Sequence, residues 1–446
     1  MTFKRKIYAD LSDWKRISNG RTAILLEGAR RVGKSTIVEE FARNEYEDYL
    51  LLDFALESPE VKSLFENKLN NLDAFYRDLF LLKGRSLPKR HAVIIFDEVQ
   101  LFFQARQAIK YLVKDGRYDF IETGSLISIK NKTTDILLPS EEYRVKMHPM
   151  DFEEFLWATG DQVTMPAIRE AFSKMTALGN AIHRKIMEKF RQYMAVGGMP
   201  QAVNALVKGD TYEQIDFIKR AILSLYEDDL HKCGEQASAI FRAMPSQLTR
   251  HGASFKFSAI HSSARYVNYL HSLEMVSDSM VANRCINVTE PSCTPGLHLE
   301  RGNFKLYFAD TGLLVTQMMR SKQKTEADLY RALIFDKLSA NLGMIVENMV
   351  AQMLRASGYE LFFHEFEYAE KGQSKLSRYE IDFLLVKDKR VCPIEVKSSS
   401  YRTHKSFAMF KAKYQLKQKE RYIIYCKDLS LADGIACLPV YMTPLL

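Results

Sequence analysis

Gly28-Ala29-Arg30-Arg31-Val32-Gly33-Lys34-Ser35 fits the pattern G-x-x-x-x-G-K-[ST] at every specified position. The apolar run Ala23-Ile24-Leu25-Leu26 precedes it and reads as a buried strand, and Ile37, Val38, Phe41 and Ala42 follow on one face of a helix. Strand, glycine loop and helix thus come in the order that gives the pattern physical meaning. A phosphate chain needs backbone N–H groups pointing inward with no side chain in the way, and Gly28 and Gly33 lack the Cβ that would block such a curl. The expected cradle runs through Gly28, Ala29, Arg30, Arg31, Val32, Gly33, Lys34, Ser35 and Thr36. Lys34 would neutralise β- and γ-phosphate charge, and the Ser35 hydroxyl would help coordinate Mg²⁺. The positive end of the following helix favours the same anion. ATP and Mg²⁺ are the expected cofactors.

A second apolar run, Ala92-Val93-Ile94-Ile95-Phe96, closes on Asp97-Glu98. Such a run suits a parallel strand buried on both faces, whose carboxyl edge is where ligands bind in open α/β sheets. Asp97 is the expected second holder of Mg²⁺, opposite Ser35. Glu98, one residue further on, is placed to polarise the water that attacks the γ-phosphate. A third strand, Phe120-Ile121-Glu122-Thr123-Gly124-Ser125, ends in hydroxyl residues, of which Thr123 and Ser125 are candidates to touch the γ-phosphate or that water. The catalytic set is therefore Lys34, Glu98 and Thr123. Arg30, Arg31 and Arg144 are available for transition-state charge, but no pattern selects one of them.

The loop, the Asp97-Glu98 pair and Thr123-Gly124-Ser125 are followed by Pro149-Met150-Asp151-Phe152-Glu153-Glu154-Phe155-Leu156. Together they resemble the prokaryotic AAA-type P-loop ATPases that carry a large C-terminal domain of unknown function. Further matches are Gly197-Gly198-Met199-Pro200, the segment Lys305-Leu306-Tyr307-Phe308-Ala309-Asp310-Thr311-Gly312-Leu313-Leu314, and Glu347-Asn348, so the resemblance covers essentially the whole chain. It implies an ATPase with a DNA-binding-like middle and a nuclease-like end. Where relatives often carry Gly-Arg between Ser125 and Pro149, this chain reads Glu142-Tyr143-Arg144, which leaves an arginine acting in cis unassigned.

The 446 residues exceed what one core holds and divide, on this reading, into four regions. Residues 1–150 form an α/β nucleotide-binding domain on a P-loop parallel sheet, and residues 151–236 a helical lid or connector. Residues 237–325 follow the order helix, helix, two-stranded wing of a winged helix, with strands expected near 277–288 and 303–308. Residues 326–446 carry an αβββαβ order like that of restriction endonucleases. In the last region, strands are expected at 359–367, 379–387 and 391–397, then a helix at 404–418 and a strand at 421–426.

Nuclease chemistry of that kind needs two acids at neighbouring strand positions to hold a divalent metal, with a lysine on the same strand face two residues beyond the second acid. Asp382, Glu395 and Lys397 supply the set, the acids thirteen residues apart, with Glu347 approaching from a helix. A second divalent metal is the corresponding expectation. Between 387 and 421, eleven Lys or Arg face three acids, which suits a surface that tracks the phosphates of DNA or RNA. In the expected winged helix, Lys256, His261 and Arg265 are available for phosphates. The formal net charge of +8 permits such a partner without requiring one.

Other features bound the setting. The six cysteines form no C-x-x-C pair and read as reduced thiols of a cytoplasmic protein. Met1-Thr2-Phe3-Lys4-Arg5-Lys6 is not followed by an apolar stretch of signal-peptide length. No run approaches the roughly 20 apolar residues that span a bilayer, so no membrane partner is expected. A homo-oligomer or a protein partner remains compatible with every feature.

Overall fold

The computed structural model describes residues 2–125, 140–248, 254–319, 342–369, 375–397, 405–414, 421–432 and 434–446. It divides into two compact units, Met1–His148 with Asp278–Met280, and Pro149–Ser277 with Val281–Leu446. Among the described residues no helix is long and apolar enough to cross a membrane.

The first unit is built on β1 (Ala23–Glu27), β2 (Asp48–Asp53), β3 (Ala92–Asp97), β4 (Asp119–Gly124) and β5 (Glu142–Lys146). They form one parallel sheet in the order β2-β3-β4-β1-β5. Every residue of β1 and β3 is buried, as continuous apolar runs require when helices cover both faces. The helix Lys34–Glu45 buries Ile37, Val38, Phe41 and Ala42, the face its 3.6-residue periodicity marks out. Parallel register aligns the carboxyl ends: Leu26 lies beside Thr123, Glu27 beside Gly124, and Asp53 beside Asp97.

Below that edge the sheet is held by packing. Phe54, Phe65, Phe75 and Phe96 meet edge to face with ring centroids 5.0–5.7 Å apart. Each such pair adds about 0.5–1.5 kcal/mol beyond area burial. At the opposite side Arg106, fully buried on the helix Phe103–Asp115, donates two hydrogen bonds of 2.7 and 2.8 Å to Glu142 of β5. Arg144 joins the same carboxylate at 3.2 Å. The Glu142-Tyr143-Arg144 departure noted in the sequence is thus an internal clamp on the edge strand.

The second unit begins with helices that announce their starts. Asp151 and Glu154 form a capping box for Phe152–Ala158, and Thr211 and Gln214 another for Tyr212–Lys232. Next come the helices Glu235–Leu248 and Tyr266–Asp278 and an antiparallel hairpin of β6 (Ala282–Val288) and β7 (Leu299–Phe308). The first expected strand therefore starts later, because residues 277 and 278 still belong to the preceding helix. Nor does the hairpin stand free as a wing. β6 pairs in parallel with β8 (Leu361–Ala369), and β8 antiparallel with β9 (Leu376–Ile381), giving a four-stranded sheet β7-β6-β8-β9.

A second sheet of this unit runs β10-β11-β12-β14-β13, made from Phe383–Lys387, Arg390–Val396, Tyr422–Tyr425, Ile435–Pro439 and Ser430–Ala432 in that order. The single strand expected at 379–387 is broken at Asp382: β9 pairs with β8, and β10 with β11. The helix expected at 404–418 is Lys405–Tyr414 within the described residues. Residues 398–404 and 415–420 of the basic 387–421 stretch lie outside them, as do 320–341, which contain the expected 325/326 boundary.

Candidate functional site: a phosphate loop and a carboxylate cluster

The loop of the first unit leaves β1 at Glu27 and enters its helix at Lys34. Gly28 passes so close to the neighbouring chain that a Cβ there would lie 2.5 Å from the Met147 carbonyl oxygen. Gly33 and Arg31 adopt left-handed backbone angles, φ 98° and 67°. Arginine in that region is uncommon and is held there at a cost of order 1–3 kcal/mol, as at other ligand-binding turns. Arg5 braces the curl by donating from its two Nη atoms to the carbonyls of Val32 (2.8 Å) and His148 (2.7 Å). No local pattern in the sequence marks Arg5 for this role.

Lys34 is folded back over the loop, its Nζ donating to the carbonyls of Gly28 (3.0 Å) and Ala29 (3.1 Å). Burial pushes its pKa down, while Glu98 and Asp97 pull it up. A buried ammonium resting on neutral carbonyls favours any anion that enters. Ser35 Oγ donates to Asp97 Oδ1 at 2.9 Å, and Thr123 Oγ1 donates to the same oxygen. Serine, acid and threonine from three separate elements thus converge at the sheet's carboxyl edge. Glu98 follows with a left-handed φ of 52°, its carboxylate accepting from Gln100 Nε2. This hydroxyl and carboxylate pair, beside an amide curl that tolerates no Cβ, fits a triphosphate with its magnesium.

The second unit brings together Asp382, Glu395, Lys397 and Glu347, and adds three residues that the sequence reading did not select. Asp382, at the break between β9 and β10, accepts from the Val396 amide at 2.7 Å. Lys397 Nζ lies 3.1 Å from Glu395. Glu347, on the helix Leu342–Ala356, accepts from Tyr307 OH at 2.6 Å. Lys305 of β7 spans the acids, 2.6 Å from Glu380 and 3.3 Å from Glu347. Burial, and next the Glu347 charge, raise the Asp382 pKa, and burial raises that of Glu380 against the pull of Lys305. For Lys305 itself the downward push of burial is outweighed by Glu347, Glu380 and Asp382, leaving its pKa raised.

Among the described residues no three His, Cys, Asp or Glu side chains come together in a way that holds a metal ion. The expected second divalent metal therefore has no support among the described residues. An ammonium bridges two of the acids, and Asp382 is engaged by a backbone amide.

The remaining sequence motifs meet in a buried network of the same unit. Asp310 accepts from the amides of Gly198 (2.6 Å) and Leu313 (2.9 Å), capping the helix Thr311–Met318. A Cβ on Gly198 would lie 2.0 Å from the Met150 carbonyl, and one on Gly312 would lie 2.5 Å from Gly197. Asn348 accepts from the Phe308 amide (2.7 Å) and donates to Thr311 Oγ1 (2.9 Å). Lys219 Nζ donates to the carbonyls of Ala195 (2.7 Å) and Gly312 (3.1 Å). These segments fasten backbone to backbone. In Glu347-Asn348 the first residue joins the carboxylate cluster and the second joins the fastener.

The loop and its converging side chains, on a parallel sheet of this order, define a P-loop nucleotide-binding domain. Residues 20–156 match a family model described as an AAA domain, so the first unit carries an AAA-type P-loop ATPase domain, a fold that supports ATP binding and hydrolysis. Residues 187–324 match a Domain of unknown function (DUF8612), and residues 342–442 a Domain of unknown function (DUF4143). No curated protein matches the sequence. Similar solved structures include the Walker-type ATPase paby2304 of Pyrococcus abyssi, at 16% identity over 71% of this chain and 96% of that one, TM-score 0.43. Another is the Thermotoga maritima RuvB Holliday junction branch migration motor, at 15% identity over 58% of this chain and 82% of that one, TM-score 0.26. Drosophila ORC bound to AT-rich DNA and Cdc6 is 13% identical over 70% of this chain and 91% of that one, TM-score 0.24.

Proposed function

We propose that the chain is a Mg²⁺-dependent ATPase whose nucleotide state controls the second unit, and that this unit acts on nucleic acid. The observation that carries the reading is the convergence of Ser35 and Thr123 on Asp97, beside a lysine whose ammonium is hydrogen-bonded to two loop carbonyls. In it, the loop amides and Lys34 hold the phosphates, Ser35 and Asp97 hold the magnesium, and Thr123 positions Asp97. Bound magnesium supplies charge neutralisation of the transferring phosphoryl group. Glu98 takes the proton of the attacking water. Glu98→Gln is expected to keep nucleotide affinity while turnover falls about 10²–10⁴-fold, the usual worth of a general base. Equal turnover in the variant and the parent protein, measured as phosphate release, would remove Glu98 from the mechanism.

The nucleic-acid half rests on exposed lysines and arginines, with one exposed histidine among them. Lys256, His261 and Arg265 are solvent-exposed, as are Lys389, Arg390, Lys405, Lys411 and Lys413. Turnover should rise on adding duplex DNA or single-stranded RNA, and binding should weaken steeply with salt. Turnover and binding that ignore nucleic acid and salt would argue against it.

A second reading is favoured by Lys305. An ammonium bridging Glu347 and Glu380 suits a nuclease-like fold that cuts nothing and serves an ATP-driven protein-docking switch. Plasmid left intact in Mg²⁺ or Mn²⁺, together with a partner captured only with nucleotide present, is the outcome it expects. Nicking that Asp382→Ala abolishes would defeat it.

A further inference from the structure

Four carboxylates from separate elements surround two lysines of the second unit: Glu347 of the helix Leu342–Ala356, Glu380 of β9 and Asp382 at the strand break act on Lys305, and Glu395 of β11 acts with Asp382 and Glu347 on Lys397. Such a group attracts a cation, and the first question is which one. Lys305 reaches it across the face of β8, its ammonium 5.1 Å from the ring centroid of the buried Phe363, and ends 2.6 Å from Glu380 and 3.3 Å from Glu347. Tyr307, two residues further along β7 and on the same face, donates to Glu347 and holds it toward the lysine.

A separate observation points to a cation-binding role. Glu395 is only 2% exposed, and its Oε1 has no hydrogen-bond partner among the described residues, while its other oxygen faces Lys397. A buried carboxylate oxygen left in this state is costly unless a cation comes within reach. Lys305 pairs with one oxygen each of Glu347 and Glu380, and Glu380 Oε2, like Glu395 Oε1, is buried with no hydrogen-bond partner among the described residues, so the cluster keeps unfilled acceptor capacity.

We propose that the Lys305 ammonium is the resident cation of this cluster and excludes divalent metal from it, so that removing the ammonium converts the four carboxylates into a Mn²⁺ site. A divalent ion beside a fixed ammonium meets repulsion that water screens poorly in a buried setting. Without the ammonium, Glu347 and Glu380 lose their counter-charge and join Glu395 in seeking a cation. The proposal gives a cause for the non-cleaving reading above and rests on that reading only for its consequence, because metal binding is measured apart from cleavage.

The test uses the full chain without nucleotide, with Asp97→Asn in every arm to silence the first unit's metal site. Free Mn²⁺ is followed by electron paramagnetic resonance, and thermal unfolding is recorded with and without the metal. With Lys305 present, no Mn²⁺ should bind at the cluster and the melting temperature should not respond. Lys305→Met should gain one bound Mn²⁺, lose it again on adding Glu395→Gln, and melt lower than its parent until Mn²⁺ restores it. Mn²⁺ bound by the Lys305 protein and released by Glu395→Gln would overturn the proposal, and so would a folded Lys305→Met protein that gains none. Where the methionine variant fails to fold, Lys305→Arg decides: it must fold and take no Mn²⁺, and Mn²⁺ taken up by it overturns the idea. Plasmid nicking is scored separately. In the protein that keeps Lys305, nicking without bound Mn²⁺ at the cluster would defeat the non-cleaving reading alone, while Mn²⁺ bound at the cluster without nicking would defeat the proposal alone.

Discussion

Lys34 and Lys305 are equally hidden from solvent, at 5% and 4% exposure, yet they rest on opposite kinds of neighbour. Lys34 leans on two backbone carbonyls, neutral acceptors that return little of the hydration its charge has lost, and burial lowers its pKa. Lys305 sits between two carboxylates with a third nearby, and their charge outweighs burial and raises its pKa. The first lysine is a cation in search of an anion and is placed where a phosphate enters. The second is already neutralised, and its place in the molecule is structural. A buried lysine therefore has no single meaning, and the charge of its partners decides between readiness to bind and saturation.

The largest effect expected from this contrast is on stability. Lys305→Met leaves the half-buried Glu347 and Glu380 without their cation, and removing one partner of a fully buried pair costs about 3–5 kcal/mol, which sets the upper bound here. Lys34→Met removes a charge hydrogen-bonded to two backbone carbonyls, with the Glu98 and Asp97 charges opposing its burial. The lost hydrogen bonds and the relieved desolvation oppose each other, so the change should stay within about 1 kcal/mol. Urea unfolding of the two variants, each monitored in its own unit, measures both. Equal losses would erase the distinction between the two lysines.

Activity should reverse the ranking. Lys34→Met removes charge stabilisation at the phosphates, and turnover of ATP should fall about 10²–10³-fold, the scale seen on deleting a preorganised electrostatic donor. Lys305→Met should turn over ATP at the parent rate once its lower melting temperature is respected. Phosphate release assayed well below both melting temperatures makes the comparison. A Lys34→Met protein with parental turnover would mean that the folded-back lysine is as structural as Lys305.

The two sites were not equally legible in the sequence. Gly28 to Ser35 is a contiguous motif whose chemistry follows from adjacent residues, and Asp97 announces itself by closing an apolar run, so the first site could be assembled from local pattern alone. Asp382, Glu395 and Lys397 were recognisable by spacing, whereas Lys305, Tyr307 and Glu380 were not. Their meeting depends on the order β7-β6-β8-β9, a register between strands distant in sequence. A signal was present all the same: Lys305 is a lone charge within Phe304-Lys305-Leu306-Tyr307-Phe308, and a charge in a run that buries itself demands a partner. Arg106 and Glu142 gave no such hint, since polar or charged residues flank both, and only the fold brings the helix face and the edge strand together. Lone charges among apolar residues record long-range pairing, but they do not name the partner.

His364 repeats the Lys34 situation on a smaller scale inside the second unit. Its Nδ1 lies 2.6 Å from the Val288 carbonyl and its Nε2 2.7 Å from Tyr414 OH, both neutral. Burial lowers its pKa from the ordinary 6.5, Lys413 pushes the same way, and the Val288 carbonyl and Glu365 pull back less strongly. With the folded pKa below the unfolded one, the unfolded chain takes the proton first as pH falls. The contribution of His364 is therefore complete above 6.5 and is lost as pH drops from there through the folded value. One such group changes the slope of stability by at most about 1.4 kcal/mol per pH unit. Glu380 and Asp382 also titrate in this window, so the informative quantity is the difference between parent and His364→Gln, in which their contributions cancel. Urea midpoints followed from about pH 7 to pH 5 should converge as acid erodes the parent's advantage. Curves that stay parallel would show that His364 is protonated in the folded state at no penalty, and that neutral partners do not hold a buried base in its uncharged form here as they do at Lys34.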